Sequence, residues 1–351
     1  MEDRYFNRLS VAIETLRFPL MVFIVMLHCY TLTVAQVPGH PLYFKMVYPL
    51  SLWIGETGVP AYFFISGLLL FYSRKSYAEK VRSRIRTLLV PYLFFNGVVL
   101  AGYVAVWLAG QHVNILGKPM GDCNTLDFLR AFWDKGRWDG GNGSPVLGVF
   151  WYLRNLMVLV VLSPLLYYII RYTRLLLPLV ACLLWVNTWH GAYTLQSLTM
   201  FSLGAFFPIC GVNPVAFLDK WWKWVLAGFL LLGGYDLVAH WTNVLPSIPQ
   251  VHRLSLVANV LLLIRVGEWL SRRGIYSAFL SRSAFFVFCV HYPIALALKP
   301  VFRRLADSPD VVIALAYVVS VVVVTMVSVG AYLLLSRLAP RLLNLVTGSR
   351  S

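Results

Sequence analysis

Glu14, Arg17 and His28 interrupt one long apolar run near the N-terminus. Ionisable side chains are costly in such a run and face a cavity or a partner. Arg17 and His28 are eleven residues apart, which at about 100° per residue is three helical turns with about 20° left over. They therefore share a face, roughly 16 Å apart along the axis, and Glu14 lies on the same stripe. An imidazole at the far end of such a line, with an ordinary pKa near 6.5, is suited to act as general base or nucleophile. The stripe implies a path across the membrane. A plainer reading keeps Glu14 and Arg17 as an interfacial ion pair and His28 as a hydrogen-bonded helix contact.

The elements that must carry these groups are membrane helices. Of 351 residues, 59% are hydrophobic and 13% charged, against about 45–50% apolar in a soluble domain. Apolar stretches near 11–34, 50–72, 88–109, 149–170, 175–190, 195–211, 223–241, 253–269, 283–300 and 310–336 predict an all-α, polytopic bundle of about ten transmembrane helices. No linker or internal repeat interrupts them, so residues 1–351 read as a single membrane domain. The first run is too long for a signal peptide and lacks a small-residue cleavage site. The net charge of +16 comes from basic residues in short loops beside the spans. Positive-inside bias explains these without nucleic acid and places both termini in the cytoplasm, although Lys299, Arg303 and Arg304 run against it.

Two connecting segments stand out. Residues 73–87 carry Arg74, Lys75, Lys80, Arg82, Arg84 and Arg86, with Tyr77, Val81, Ile85 and Leu88 at helical spacing, which predicts an amphipathic helix on the inner membrane surface. Residues 111–148 form the longest outer loop, and its 138–143 stretch, rich in glycine, is expected to be mobile. Arg154 and Asn155 stand near an outer span end, where they would hold a sugar or anchor the interface. Glu56, Asp236, Asn259, Arg265 and Glu268 are polar positions in spans that no spacing connects. His190, His240 and His252 fit an interfacial belt. The five cysteines show neither disulfide nor zinc spacing, and no metal site is expected.

Four blocks, in order, carry a family resemblance. Arg17 through His28 resembles the first-helix pattern of the acyltransferase 3 family of integral membrane O-acyltransferases. The run from Val59-Pro60-Ala61 to Ile65-Ser66-Gly67 resembles that family's VPxFFxISG segment, and a basic segment ending in Val90-Pro91-Tyr92 follows it. Phe150-Trp151-Tyr152-Leu153-Arg154-Asn155 with Leu162-Ser163-Pro164-Leu165 is similar to its WFLRxL…LSPL span. Phe285-Phe286-Val287-Phe288 to His291 is similar to its late FFIFxxH span. The RxxR pair of many members is replaced by Arg82-Ser83-Arg84-Ile85-Arg86.

The resemblance implies transfer of an acyl group, acetyl by expectation, from cytosolic acetyl-CoA to a hydroxyl of a surface polysaccharide or lipid-linked glycan. No permanently bound cofactor is expected, and the membrane would be the bacterial inner membrane. Arg82, Arg84 and Arg86 would meet the CoA phosphates, for which guanidinium groups are suited. Arg17, oriented by Glu14, would line the entry of the pantetheine arm. His28 would then be general base or transient acyl carrier, and His291 would hydrogen-bond the acceptor or stabilise the oxyanion. Arg154 and Asn155 would touch the sugar. The alternative is a transporter or flippase that uses the Glu14, Arg17 and His28 stripe as a proton or substrate pathway.

Overall fold

In lipid, backbone groups are satisfied within a segment, so apolar runs of this length fold as helices. The computed structural model describes residues 2–30, 39–135, 143–188, 192–242, 244–305 and 307–348. Residues 138–142 and His190, both subjects of expectations above, lie outside these. In chain order the helices are α1 (Glu2–His28), α2 (Pro41–Val47), α3 (Gly58–Tyr72), α4 (Tyr77–Arg84), α5 (Val90–Leu108), α6 (Thr125–Ala131), α7 (Trp151–Val161) and α8 (Ser163–Thr173). They continue with α9 (Leu176–Asn187), α10 (Ala192–Ile209), α11 (Pro214–Gly228), α12 (Gly234–Thr242), α13 (Pro249–Arg272), α14 (Ala278–Arg303), α15 (Asp310–Leu338) and α16 (Pro340–Thr347). Among the described residues, the only strands are the hairpin pair β1 (Asn114–Ile115) and β2 (Lys118–Pro119).

Among the described residues, seven helices are long and apolar enough to cross a membrane, and an eighth span is added if the pair Gly148–Val161 and Ser163–Thr173, bent by 70°, counts as one. The protein is thus a polytopic helical membrane protein. The run at 175–190 folds only as the short α9, and that at 195–211 as α10, which buries Gln196, Ser197, Thr199 and Ser202. The segment at 73–87 also differs from a separate surface helix. Ser76 and Glu79 cap it reciprocally, and it continues through a π-helical turn, Ile85–Leu89, into α5.

The chain divides into two compact units, Met1–Ile65 with Gly211–Pro340, and Ser66–Cys210 with Arg341–Ser351. In the first, α1 packs against α13, α14 and the segment leading into α3. It buries Leu9, Ala12, Ile13, Leu16, Leu20 and Ile24, the three- and four-residue spacing of one helix face. The span that enters α3 is broken: α2 passes into a π-helical stretch, Tyr48–Ile54, and a 3-10 turn, Gly55–Thr57. Gly55 permits its approach to α1, since a Cβ there would lie 2.9 Å from Phe23 O. Near the N-terminal end of α1, Arg8, Arg265 and Arg272 share the carboxylates of Asp219 and Glu268. This network answers for Arg265 and Glu268, two of the unassigned polar positions.

In the second unit, Gly67 of α3 meets α10 so closely that a Cβ would fall 2.1 Å from Phe201 O. The bend between α7 and α8 falls beside Pro164, whose missing N–H suits the first turn of a new helix. Residues after α5 form a small substructure. The β1–β2 hairpin turns through Leu116 and Gly117, both at positive φ (58° and 77°). Ile115, Met120, Ala131 and Val146 form its buried core. Asn96 of α5 secures it by accepting from Leu147 N at 2.9 Å.

Candidate active site

His28 closes α1, and the helix end is held by side chains that satisfy its terminal carbonyls. Ser51 Oγ donates to Met26 O at 2.5 Å and Ser320 Oγ to Cys29 O at 3.2 Å. The His28 ring packs on α14, with centroids 5.4 Å from His291 and 5.0 Å from Tyr292, the latter edge-on at 72°. Lys299, two turns along α14 from Tyr292, sets its ammonium 4.6 Å from the Tyr30 ring centroid. Among the described residues no hydrogen bond engages a His28 ring nitrogen, and the ring's contacts are made through its faces and edge.

His291 is fully buried. Its Nδ1 lies 2.9 Å from Phe288 O and 3.2 Å from Val287 O. Carbonyls only accept, so Nδ1 carries the proton and Nε2 presents a lone pair. That Nε2 is buried without a hydrogen-bond partner among the described residues. In this tautomer Nε2 is able to accept a hydrogen bond but not to donate one. Oxyanion stabilisation, the other role expected for His291, needs a donor that Nε2 in this form is not.

Arg17 is exposed on α1, and its guanidinium meets no acceptor among the described residues. Its carbonyl accepts from Tyr62 OH at 2.5 Å, which ties α1 to α3. Glu14 reaches Tyr276 OH at 3.5 Å, and among the described residues nothing joins it to Arg17. Among the described residues, no ion pair forms between the Glu14, Arg17 and His28 side chains.

In the second unit Arg82 and Arg86 are exposed and Arg84 is half-buried, on α4 and the turn that follows. Arg154 and Asn155 are both buried on α7. Arg154 donates to Asn155 Oδ1 at 3.1 and 3.2 Å and to Trp133 O at 2.7 Å, with its guanidinium 5.3 Å from the Trp133 ring. Asn155 Nδ2 donates to Ser197 Oγ at 3.0 Å. These groups tie α7 to α10 and to the segment after α6.

A second polar cluster in the first unit escaped the sequence. His252 Nδ1 lies 2.9 Å from Asp236 Oδ2 and its Nε2 lies 3.1 Å from Glu56 Oε2. Tyr48 OH donates to the same Asp236 oxygen at 2.9 Å, and His240 stacks on Tyr48 at 3.8 Å. His240 and His252 thus belong to a network rather than only to an interfacial belt. The signal was available in one form: Glu56 and Asp236 each lay in an apolar span, where a single carboxylate demands a partner.

A polytopic helical protein with a histidine pair closing its first span fits an acyl-transfer enzyme of the membrane, and the comparisons agree. The chain matches the acyltransferase domain family over residues 10–332 and belongs to that family, the acyltransferase 3 family. The succinoglycan biosynthesis protein ExoH of Rhizobium meliloti (strain 1021) is 28% identical over 325 residues, which cover 86% of this chain and 82% of the relative. No solved structure matches the chain. The protein is a multi-pass membrane acyltransferase, and the transport reading gains no support.

Proposed function

We propose that this acyltransferase moves an acyl group, acetyl in the first instance, from cytosolic acyl-CoA to a hydroxyl of a surface polysaccharide or lipid-linked glycan. It acts as a single domain of the bacterial inner membrane with both termini in the cytoplasm. The observation that carries the reading is the His28 ring, free at its nitrogens and packed against a buried histidine whose Nε2 lone pair is unfilled. The glycan acceptor is supported by the relative's name, which places that protein in succinoglycan biosynthesis.

In the direct route, the acceptor oxygen attacks the thioester carbonyl carbon while His28 takes the hydroxyl proton. The C–S bond breaks and the imidazolium returns that proton to the CoA thiolate. In the covalent route, a neutral His28 nitrogen takes the acyl group as the C–S bond breaks to CoA thiolate; the hydroxyl then attacks the acyl-imidazolium, the N–acyl bond breaks to give the ester, and the hydroxyl proton passes through the freed imidazole to the thiolate. In either route His291 Nε2 accepts a hydrogen bond from the acceptor hydroxyl or from the His28 N–H. Arg17 offers an uncommitted guanidinium to the passing pantetheine arm, and Glu14 shapes that entry through Tyr276. Arg82, Arg84 and Arg86 take the phosphates, while Arg154 and Asn155 fix the region that receives the sugar.

The test is CoA release from acetyl-CoA by the protein in lipid nanodiscs, with and without a crude surface-glycan fraction, beside His28→Ala. Glycan-dependent release by wild type that falls by at least a hundredfold in His28→Ala is the expected result. A folded wild type that neither binds nor consumes acetyl-CoA, nor other acyl-CoA thioesters supplied in parallel, removes the donor assignment.

A further inference from the structure

Glu56 stands in the broken part of its span, in the 3-10 turn Gly55–Thr57 that follows a π-helical stretch. Such local widening of a helix recurs at functional sites. The break is pressed onto the last turns of α1, because Gly55 abuts Phe23 O and Leu27 N and Ser51 binds Met26 O. Glu56 therefore sits in the same unit as His28 and at the same end of α1.

The Glu56 side chain is 38% exposed, whereas His252 is 17% and Asp236 only 1% exposed. The trio thus runs from a fully buried carboxylate, through an imidazole, to an open carboxylate. Carboxylates accept and do not donate, so His252, which faces one at each nitrogen, satisfies both bonds by carrying a proton on each. That arrangement fixes Glu56 Oε2. Its Oε1 takes no hydrogen bond among the described residues. One residue further along, Thr57 Oγ1 accepts from Asn259 Nδ2 at 3.0 Å, while Asn259 Oδ1 is buried without a partner. Asn259 itself is only 6% exposed.

The two unfilled atoms are both acceptors, which selects a ligand that donates hydrogen bonds. The neighbouring imidazolium and Arg253, which acts electrostatically on Glu56, disfavour a cation. The carboxylates disfavour an anion. What remains is a neutral ligand rich in hydroxyl groups.

We propose that Glu56, aimed by His252 on Asp236, binds hydroxyl groups of the sugar acceptor and makes the break before α3 an acceptor subsite. This rests on the acyl-transfer reading for the sugar's fate, but not for its binding. Glu56 is a binding residue here, and His252 and Asp236 are positioning residues.

The experiment compares wild type, Glu56→Gln and Asp236→Asn in nanodiscs, with the oligosaccharide fraction of the host's surface glycan as probe. Binding is followed without donor by tryptophan fluorescence, and turnover by CoA release from acyl-CoA. Glu56→Gln is expected to weaken glycan binding at least tenfold and to leave the half-saturating acyl-CoA concentration within twofold. Asp236→Asn is expected to weaken glycan binding in the same direction by a smaller factor. If Glu56→Gln does not fold, Glu56→Asp replaces it, with the same expectation at a threefold or greater loss. Equal glycan binding by wild type and variant overturns the proposal, as does a wild type that binds no glycan. So does a donor constant that moves in step with the glycan constant. Glycan binding that depends on Glu56, in a protein that releases no CoA, upholds the subsite and refutes the acyl-transfer reading.

Discussion

His28 and His291 face each other from α1 and α14 with ring centroids 5.4 Å apart, and of their four ring nitrogens only His291 Nδ1 is hydrogen-bonded among the described residues. The unfilled Nε2 of His291 stands against stability, since a buried polar atom without a partner costs about 1–3 kcal/mol. His291→Leu is therefore expected to leave the thermal midpoint unchanged or raised, while glycan-dependent CoA release falls by at least tenfold. Thermal unfolding and turnover measured on one nanodisc preparation check both halves. A lowered midpoint with full activity would mark His291 as a core residue only.

Gly67 offers a second check, on packing. A Cβ at that position would meet Phe201 O at 2.1 Å, a backbone atom that cannot swing aside. Gly67→Ala must separate α3 from α10, and overpacking of this kind costs about 1–3 kcal/mol. Gly97, in α5, has nothing within 4 Å of its Cβ position, so Gly97→Ala gains about 0.5–1 kcal/mol of helix propensity. Denaturation midpoints of the two variants should move in opposite directions.

These glycines also show what was legible in the chain. The motif ending in Ser66-Gly67 marked a special position before any contact was visible, whereas the bend at Pro164 fell inside the run 149–170, which read as one span. The spacing of Arg17 and His28 was readable because helical periodicity is local. The bond from His252 to Glu56 was not, because it joins residues 196 apart on different helices, and no periodicity relates them. Only the cost of a lone carboxylate in a span hinted at it. Helix ends were hidden for a related reason: hydropathy measures apolar length and does not see where a helix stops. For Arg154, residue type alone could not tell a side chain awaiting a sugar from one already bonded to Asn155 and Trp133.

The hairpin substructure after α5 lies outside the spans and has its own pH behaviour. The Lys118 ammonium donates to Asp127 at 2.6 Å, and Asn124 N adds a second bond. Together they hold the Asp127 carboxyl below its ordinary value, and the same contact raises Lys118. A depressed carboxylate contributes stability above its unfolded pKa, near 3.9, that is lost as pH falls through the folded value. A raised ammonium contributes stability below about 10.4 that is lost as pH rises through its own folded value. Hydrogen exchange of the hairpin amides is therefore expected to show a pH-independent opening equilibrium from about pH 5 to 9. Weakening is expected only beyond those limits, and Asp127→Asn should abolish the acid limb.

Arg17 and Glu14 separate two accounts of the stripe. If the two formed an ion pair, removing either would disturb the other, and both variants would impair donor use alike. Arg17 instead presents an uncommitted guanidinium, and Glu14 is turned to Tyr276 OH at 3.5 Å. Loss of one charge-assisted hydrogen bond is worth about 1.5–3 kcal/mol. Arg17→Ala is therefore expected to raise the half-saturating acyl-CoA concentration by about 10- to 100-fold, with Arg17→Lys intermediate because an ammonium keeps the charge and loses the planar fork. Glu14→Gln keeps its contact to Tyr276 and is expected to change the same constant by no more than about threefold. Titration of CoA release against acyl-CoA for the three variants decides the matter. Equal losses in Arg17→Ala and Glu14→Gln would show that the two residues act as one unit, and the guanidinium would then owe its position to the carboxylate.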